Sequence, residues 1–337
     1  MRNGLYSAGI SITGSGSATP SGRLSNEDLT QMVETSDDWI TTRTGIKQRC
    51  VAAPGESLVD IGTQASQNAL EMANVHPEEL DLVILATSTP DDLFGSAVSI
   101  QTALGAKKAV GFDLTAACSG FVFGLVNAAQ FIRTGMYQKV LLVGADLLSR
   151  WVDWSDRGTC ILFGDGAGAV VIEATDPQRD ALLGCELCSD GQLNHTLTLS
   201  HQGESRPLLD SIQVSQGNYQ PIHMKGKEVY RFAVEKVPEV ISKALFHAEL
   251  TSEQVDWLLL HQANQRIMDA VAQRLNLPPE RVISNVASYG NTSAASIPLA
   301  LDEAMRAGQL NDGDIIAMSG FGAGLTWGAT IVQWQIV

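Results

Sequence analysis

Three residues of reactive type stand at points where the chain changes from strand to helix or from strand to loop. Cys118 lies in Gly111-Phe-Asp-Leu-Thr-Ala-Ala-Cys118-Ser-Gly-Phe-Val-Phe-Gly-Leu-Val126, where a short strand gives way to a helix. The helix is predicted directly after it, since Phe121, Gly124, Leu125, Ala128 and Ile132 recur at helical spacing. Unpaired N–H groups and the positive end of the helix dipole should lower such a thiol from about 8.5 toward or below neutrality, making it a nucleophile. The competing reading is a buried structural cysteine. His261 is the first polar residue after the apolar run Trp257-Leu-Leu-Leu260, and is followed by Gln262-Ala-Asn264. Asn291 lies in Ser288-Tyr-Gly-Asn291-Thr-Ser-Ala-Ala-Ser-Ile-Pro298, with Pro298 either in the early turns of the next helix or kinking it.

A duplication must position these residues. Thr251-Ser-Glu-Gln-Val-Asp256-Trp-Leu-Leu-Leu260 matches His76-Pro-Glu-Glu-Leu-Asp81-Leu-Val-Ile-Leu85, an offset of 175 residues between Asp81 and Asp256. Arg133-Thr-Gly135 before Lys139-Val-Leu-Leu-Val143 matches Arg306-Ala-Gly308 before Asp314-Ile-Ile-Ala317, an offset of 173 between the two glycines. Phe163-Gly-Asp-Gly-Ala-Gly168 and Phe321-Gly-Ala-Gly-Leu-Thr-Trp-Gly328 read as glycine-rich turns, each feeding a strand. The offset of 173 carries Cys118 onto Asn291, so the two should occupy equivalent strand-to-helix junctions. The offset of 175 carries Ala86 onto His261, at the strand end where α/β sites usually lie. Two such halves imply duplicated α/β units packed in layers, with the site between them.

The expected organisation is a first half over 1–175, a connector over 176–226 and a second half over 227–337. The first half carries a polar excursion over 20–55 and an extra segment over 145–162. Its opening strand is expected from Tyr6 to Thr13. Gly14-Ser-Gly16-Ser-Ala-Thr19 has threonine where a dinucleotide loop needs its third glycine, so a Rossmann reading is weak. Helices are predicted over Leu58–Met72 and Val98–Leu104, with a buried strand over Leu82–Leu85 between them.

Bulk composition narrows the classes. With 45% hydrophobic and 18% charged residues in 337, the chain reads as a soluble globular protein. A formal net charge of −15 argues against nucleic acid or anionic membrane as the main partner. There is neither a signal-peptide pattern nor an apolar run long enough to span a bilayer, and the expected compartment is a reducing cytoplasm. No pair among Cys118, His261 and the other histidines has metal-ligand spacing, and Cys185-Glu-Leu-Cys188 lacks a second pair; both of its cysteines are read as structural. A papain-like hydrolase lacks support because neither its local signature nor its chain order is present.

Thr115-Ala-Ala-Cys118-Ser-Gly-Phe121, His261-Gln-Ala-Asn264, Gly290-Asn291-Thr-Ser-Ala-Ala-Ser296 and Phe321-Gly-Ala-Gly-Leu-Thr-Trp-Gly328 occur in that order. Together they resemble the β-ketoacyl-acyl carrier protein synthase III family of the thiolase-like superfamily. The resemblance runs from the first strand to the last residues. It implies an α/β fold of two pseudo-symmetric halves forming a layered α-β-α-β-α core. It also implies a cofactor-free acyltransferase that initiates fatty acid synthesis. Cys118 would be acylated by a short acyl-CoA, acetyl-CoA being the expected one, and then condense with malonyl-acyl carrier protein, His261 and Asn291 donating to the malonyl thioester. Backbone N–H groups of Cys118 and Ala323 would hold the oxyanion, Ala323 replacing the family's frequent glycine.

Carried over in the same way, CoA would contact Thr35, Trp39, Arg43, Arg157, Gly226, Ala263 and Asn264, with Trp39 and Arg157 sandwiching the adenine. Phe94 would cap the acyl pocket of the second subunit in a homodimer. Arg231, Arg266 and Arg274 would form a basic landing site for the acidic carrier protein. Two other readings are a related Cys-His-Asn ketosynthase of secondary metabolism and a non-catalytic carrier-binding subunit. Retention of all three reactive residues opposes the last.

Overall fold

A computed structural model describes residues 7–335 of the chain. Ten strands form two five-stranded sheets. They are β1 (Gly9–Ala18), β2 (Leu82–Ala86), β3 (Val110–Leu114), β4 (Lys139–Leu147), β5 (Asp165–Thr175), β6 (Leu182–Ser189), β7 (Trp257–Leu260), β8 (Val282–Ile283), β9 (Ile315–Gly322) and β10 (Thr326–Gln333). The first sheet has the order β1-β5-β4-β2-β3 and the second β6-β10-β9-β7-β8. In each, the last three strands are parallel and the first two antiparallel, so the duplication extends to strand direction. The matched aspartates do matched work: Asp81 accepts from the N–H groups of Gln138 and Lys139 at 2.7 and 3.0 Å, and Asp256 from that of Ile315 at 2.8 Å.

The helices used below are α1 (Asp37–Thr44), α2 (Leu58–Ala73), α3 (Ala97–Leu104), α4 (Gly120–Arg133), α5 (Gly226–Ala248), α6 (Gln265–Arg274) and α7 (Ser296–Arg306). Helices α4 and α7 lie between the sheets, each touching strands of both; α2 covers the outside of the first sheet and α5 that of the second. The architecture is therefore α-β-α-β-α. The middle layer is apolar all round, as burial on two sides requires: Phe121, Leu125 and Ile132 of α4 pack with Ile297 and Leu301 of α7 in one core. Pro298 is the third residue of α7, inside the first turn, where its missing N–H costs nothing.

Three expectations are corrected. The first strand runs through Gly14 and Gly16, where a loop was expected, and its predicted start at Tyr6 lies outside the described residues. A side chain at either glycine would strike carbonyl oxygens of α2, at 2.3 Å in both cases, so these glycines admit a helix rather than a phosphate. The run Phe163–Gly168 is no turn, because β5 begins at Asp165; in Phe321–Gly328 only residues 323–325 turn, and β9 and β10 form a hairpin about them. Leu182–Ser189, inside the expected connector 176–226, is an edge strand of the second sheet; Gly184 and Glu186 interrupt its apolar pattern. The excursion 20–55 holds α1 and a small antiparallel two-stranded sheet, Gly22–Ser25 with Gln48–Val51. Buried Asp165 accepts from Ala52 at 2.7 Å and from the Ser149 N–H at 2.8 Å, tying excursion and extra segment to β5.

Candidate active site

Both junctions end in the same kind of turn, although a short helix over Val286–Tyr289 precedes the second. After β3, a 3-10 turn over Ala117–Ser119 carries Cys118 into α4; after β8, a 3-10 turn over Ser293–Ala295 leads into α7. The first residue of each turn is a non-glycine with positive φ, Ala117 at 46° and Ser293 at 52°, a strained conformation of the kind stored at functional sites. The turns align at an offset of 176, which pairs Cys118 with Ala294 rather than with Asn291. The residue-for-residue match at 173 is thus corrected: α7 is shorter than α4, and the helices absorb the difference. The equivalence of the junctions themselves stands.

Each turn docks on the opposite sheet. A Cβ on Gly144 of β4 would lie 2.3 Å from the Ala294 carbonyl oxygen, and one on Gly320 of β9 would lie 3.0 Å from Ser119 Cα. Bare backbone at these two positions brings the halves together around the reactive residues. Cys118, His261 and Asn291 line one cavity of about 180 Å³, walled by Leu162, Phe163, Leu197, Met224 and Phe321. Gly226, Ala263 and Asn264 line it too.

His261 continues the ladder of β7, its N–H donating to the Ser319 carbonyl at 2.8 Å. Its Nδ1 lies 2.7 Å from the Ser296 hydroxyl, and Phe321 packs edge-on against its ring at 5.4 Å between centroids. Burial pushes His261 down to about 3, so the ring is neutral across the physiological range. Asn291 is held by backbone bonds to Leu162 and Gly164, both 2.9 Å. Its side-chain oxygen accepts from the Ser293 N–H at 2.9 Å, which leaves the amide N–H₂ as its donor.

Cys118 is at a helix start, as its spacing predicts, yet the expected thiolate is corrected. Burial pushes the thiol up to about 12, the Ser293 side chain and the residue's own N–H opposing the rise and the nearby Asp146 charge adding to it. Desolvation of the charged sulfur outweighs the hydrogen bonds that favour it, and the resting residue is a thiol. Asp146 was not singled out by sequence reasoning, and nothing in its local pattern marks it. It is fully buried and accepts from Thr87, Ser88 and Thr89 at 3.1, 2.8 and 2.9 Å and from the Ala294 N–H at 3.2 Å, fastening the second turn to the loop after β2. Ser293 and Ser296, in the same stretch as Asn291, likewise carry no local pattern that marks them.

Ala323 begins the turn between β9 and β10. A Cβ on neighbouring Gly322 would come within 2.6 Å of the Cys118 nitrogen, so the strand end is pressed against that N–H. Trp39 and Arg43 lie on α1, and the guanidinium groups of Arg43 and Arg157 both sit over the Trp39 ring at 4.7 Å. Arg157 also donates to the Glu34 carbonyl at 3.0 Å. The Thr35 hydroxyl beside them is buried without a partner. Asn264 caps α6 through the Arg266 N–H and donates to the Arg43 carbonyl at 3.1 Å, joining the cavity wall to α1.

Phe94 is fully exposed, outside its own chain's reactive cavity, and lines a separate hollow of about 490 Å³ with Leu93, Val98 and Phe112. Arg231 on α5 and Arg266 at the start of α6 are exposed near the cavity; Arg266 lies over Tyr230, which lines it. Arg274 is at the other end of α6, beside Ser242 and Leu245, and does not join them. Cys185 and Cys188 form no disulfide and, three apart on a strand, face opposite sides of it. Among the described residues no group of His, Cys, Asp and Glu is placed to hold a metal ion, and no helix is long and apolar enough to cross a membrane.

Comparison with known proteins identifies related sequences and folds. Models of 3-oxoacyl-[acyl-carrier-protein] synthase III match residues 112–191 and, for its C-terminal part, 245–334. A β-ketoacyl-[acyl-carrier-protein] synthase III of Nostoc sp. is 66% identical over 98% of this chain and 99% of its own. The crystal structure of the 3-oxoacyl-[acyl-carrier-protein] synthase III of Aquifex aeolicus superposes with a TM-score of 0.89 at 44% identity, covering 97% of this chain and 100% of that one. The priming β-ketosynthase of the R1128 polyketide pathway gives 0.89 at 34% identity, over 100% and 99% of the two chains.

Proposed function

The chain belongs to the 3-oxoacyl-[acyl-carrier-protein] synthase III family, the acyltransferases that begin fatty acid synthesis by condensation, and we propose that Cys118, His261 and Asn291 divide its two half-reactions between them. The observation that carries the assignment is the one cavity that all three line. In the first half-reaction the Cys118 sulfur attacks the thioester carbonyl of a short acyl-CoA, the backbone N–H groups of Cys118 and Ala323 hold the oxyanion, and CoA leaves as its thiol with the proton Cys118 gives up. In the second, malonyl-acyl carrier protein loses CO₂ while neutral His261 and Asn291 donate to its thioester carbonyl. The enolate carbon attacks the acyl group on Cys118, a proton returns to the sulfur, and a β-ketoacyl-carrier is released. The decarboxylation supplies the carbanion, so the scheme calls for no cofactor.

Trp39 and Arg157 suit the adenine of CoA because indole and guanidinium planes both stack on a purine, with Arg43, Thr35, Gly226, Ala263 and Asn264 along the way to Cys118. A purine entering there displaces Arg157 from the Trp39 ring and from the Glu34 carbonyl. Arg231 and Arg266 give a protein of net charge −15 a local positive patch for an acidic carrier. A homodimer is supported by β3 at a sheet edge with Val110, Val98, Leu93 and Phe94 exposed around it. The loop bearing Phe94 is pinned: Asp113 accepts from Ser96 and Ala97 at 2.9 and 2.7 Å, and Asp92 from Phe94 at 2.8 Å. It presents Phe94 as a fixed plug for the other subunit's acyl pocket. Five cysteines, none in a disulfide, fit a reducing cytoplasm.

The test is to measure the half-reactions separately in Asn291→Ala and His261→Ala proteins. Acetyl transfer from CoA to Cys118 persists, while condensation with malonyl-carrier protein falls about 10²- to 10³-fold, as for loss of an oxyanion donor. Equal loss of both half-reactions would reject the division of labour.

A further inference from the structure

A neutral imidazole carries one N–H, so His261 can donate into the cavity only if its proton is on the ring nitrogen that faces it. The surroundings of the other nitrogen decide this. His261 Nδ1 and the Ser296 hydroxyl are 2.7 Å apart, and both residues are 2% exposed, beyond the reach of bulk water. Ser296 Oγ already accepts the Gln262 N–H at 3.3 Å. Gln262 cannot swing away, since its side chain donates to the carbonyls of Leu260 and Ile283 at 2.7 and 3.2 Å and accepts from Asn285 at 3.0 Å.

A serine in a helix commonly gives its proton to the carbonyl four residues back, as Ser66 does to Gly62 at 2.6 Å. Ser296, the first residue of α7, makes no such bond among the described residues, and its hydroxyl proton finds one acceptor, His261 Nδ1. We propose that Ser296 is a positioning residue that donates to Nδ1 and so fixes His261 as the Nε2–H tautomer, keeping a donor aimed at the cavity shared with Cys118 and Asn291. Ser293 does the matching task for Asn291 by binding its side-chain oxygen, so one short stretch from 293 to 296 orients both donors before substrate arrives. The inference rests on the reading of His261 as a donor to the malonyl thioester.

The experiment is ¹⁵N NMR of the full chain labelled at histidine, with the His261 signals assigned through His261→Ala. Near neutral pH the wild-type ring is expected with a protonated Nε2 and a bare, hydrogen-bonded Nδ1; a protonated Nδ1 in the wild-type protein would overturn the proposal. In Ser296→Ala the hydrogen-bonded Nδ1 signature is lost, and malonyl-carrier decarboxylation falls about tenfold further than acetyl loading, a part of the effect of deleting a donor. Ser296→Thr, which keeps the hydroxyl, restores both. Equal losses in the two half-reactions, or an unchanged ring signature in Ser296→Ala, would contradict it. A wild-type protein that shows the expected tautomer but never acylates Cys118 would defeat the condensing role while leaving the tautomer assignment intact.

Discussion

Replacing Gly322 by alanine should cripple the site without touching a reactive side chain. The added Cβ would lie 2.6 Å from the Cys118 nitrogen, 3.0 Å from Ala117 Cβ and 3.2 Å from Cys118 Cα. Carbon contacts are comfortable at about 3.5 Å, so the two backbones must part by roughly 0.9 Å. The neighbours are main chain and Cβ atoms that no rotamer change can clear. Gly322 is not among the positive-φ glycines, so the penalty is steric and not conformational. The displaced atoms are the Cys118 N–H and, one residue on, that of Ala323. A misplacement near 1 Å costs about 10²-fold in rate, comparable with deleting one oxyanion donor. Acetyl loading and condensation should both fall about 10²-fold, since each passes through a tetrahedral oxyanion, while CoA affinity stays the same. Rapid-quench mass spectrometry of the acetyl adduct gives the loading rate, and a melting curve shows that the fold survives the overpacking, which typically costs about 1–3 kcal/mol. Loading at the wild-type rate in a folded Gly322→Ala protein would refute the placement of the oxyanion hole.

Three further outcomes follow from the same geometry. With the thiol pushed up to about 12, Cys118 is a thiol at pH 7; because the neutral form prevails below a raised pKa, its alkylation by iodoacetamide should quicken about tenfold per pH unit from 6 to 9, and a plateau below pH 8 would contradict the account. Arg231→Glu with Arg266→Glu should raise KM for malonyl-carrier protein about tenfold or more and leave that for acetyl-CoA within about twofold, whereas Arg274→Glu at the far end of α6 does neither. Leu93→Asp with Val110→Asp should shift a dimer to monomer in sedimentation equilibrium by placing charges on the exposed edge of the first sheet; an unchanged dimer would place the interface elsewhere.

The elements that position the site were legible because the duplication is written in local pattern. Asp81 and Asp256 recur because each must receive the start of a neighbouring strand, and the apolar runs after them alternate with helical spacing in both halves. Glycines misled, since the same residue that permits a turn also permits close packing: Gly14 and Gly16 admit α2, and Gly166 and Gly168 lie within a strand. Cys118, His261 and Asn291 could be found as residue types at strand ends. The height of the thiol's pKa could not, because it depends on burial between two sheets and on Asp146, a residue from another strand. Ser296 was equally invisible, being one serine among several until the fold brings it to 2.7 Å from a ring nitrogen 35 residues earlier.

The most direct test of the central claim is the intact mass of the protein after brief mixing with acetyl-CoA. The wild-type chain should gain one acetyl group, located on Cys118 by peptide mapping, and lose it when malonyl-carrier protein is added, with one β-ketoacyl-carrier formed per adduct. Cys118→Ser should gain none on that timescale. A wild-type protein that stays unacylated, or an adduct that forms equally well on Cys118→Ser, would contradict the assignment of Cys118 as the acyl-carrying nucleophile.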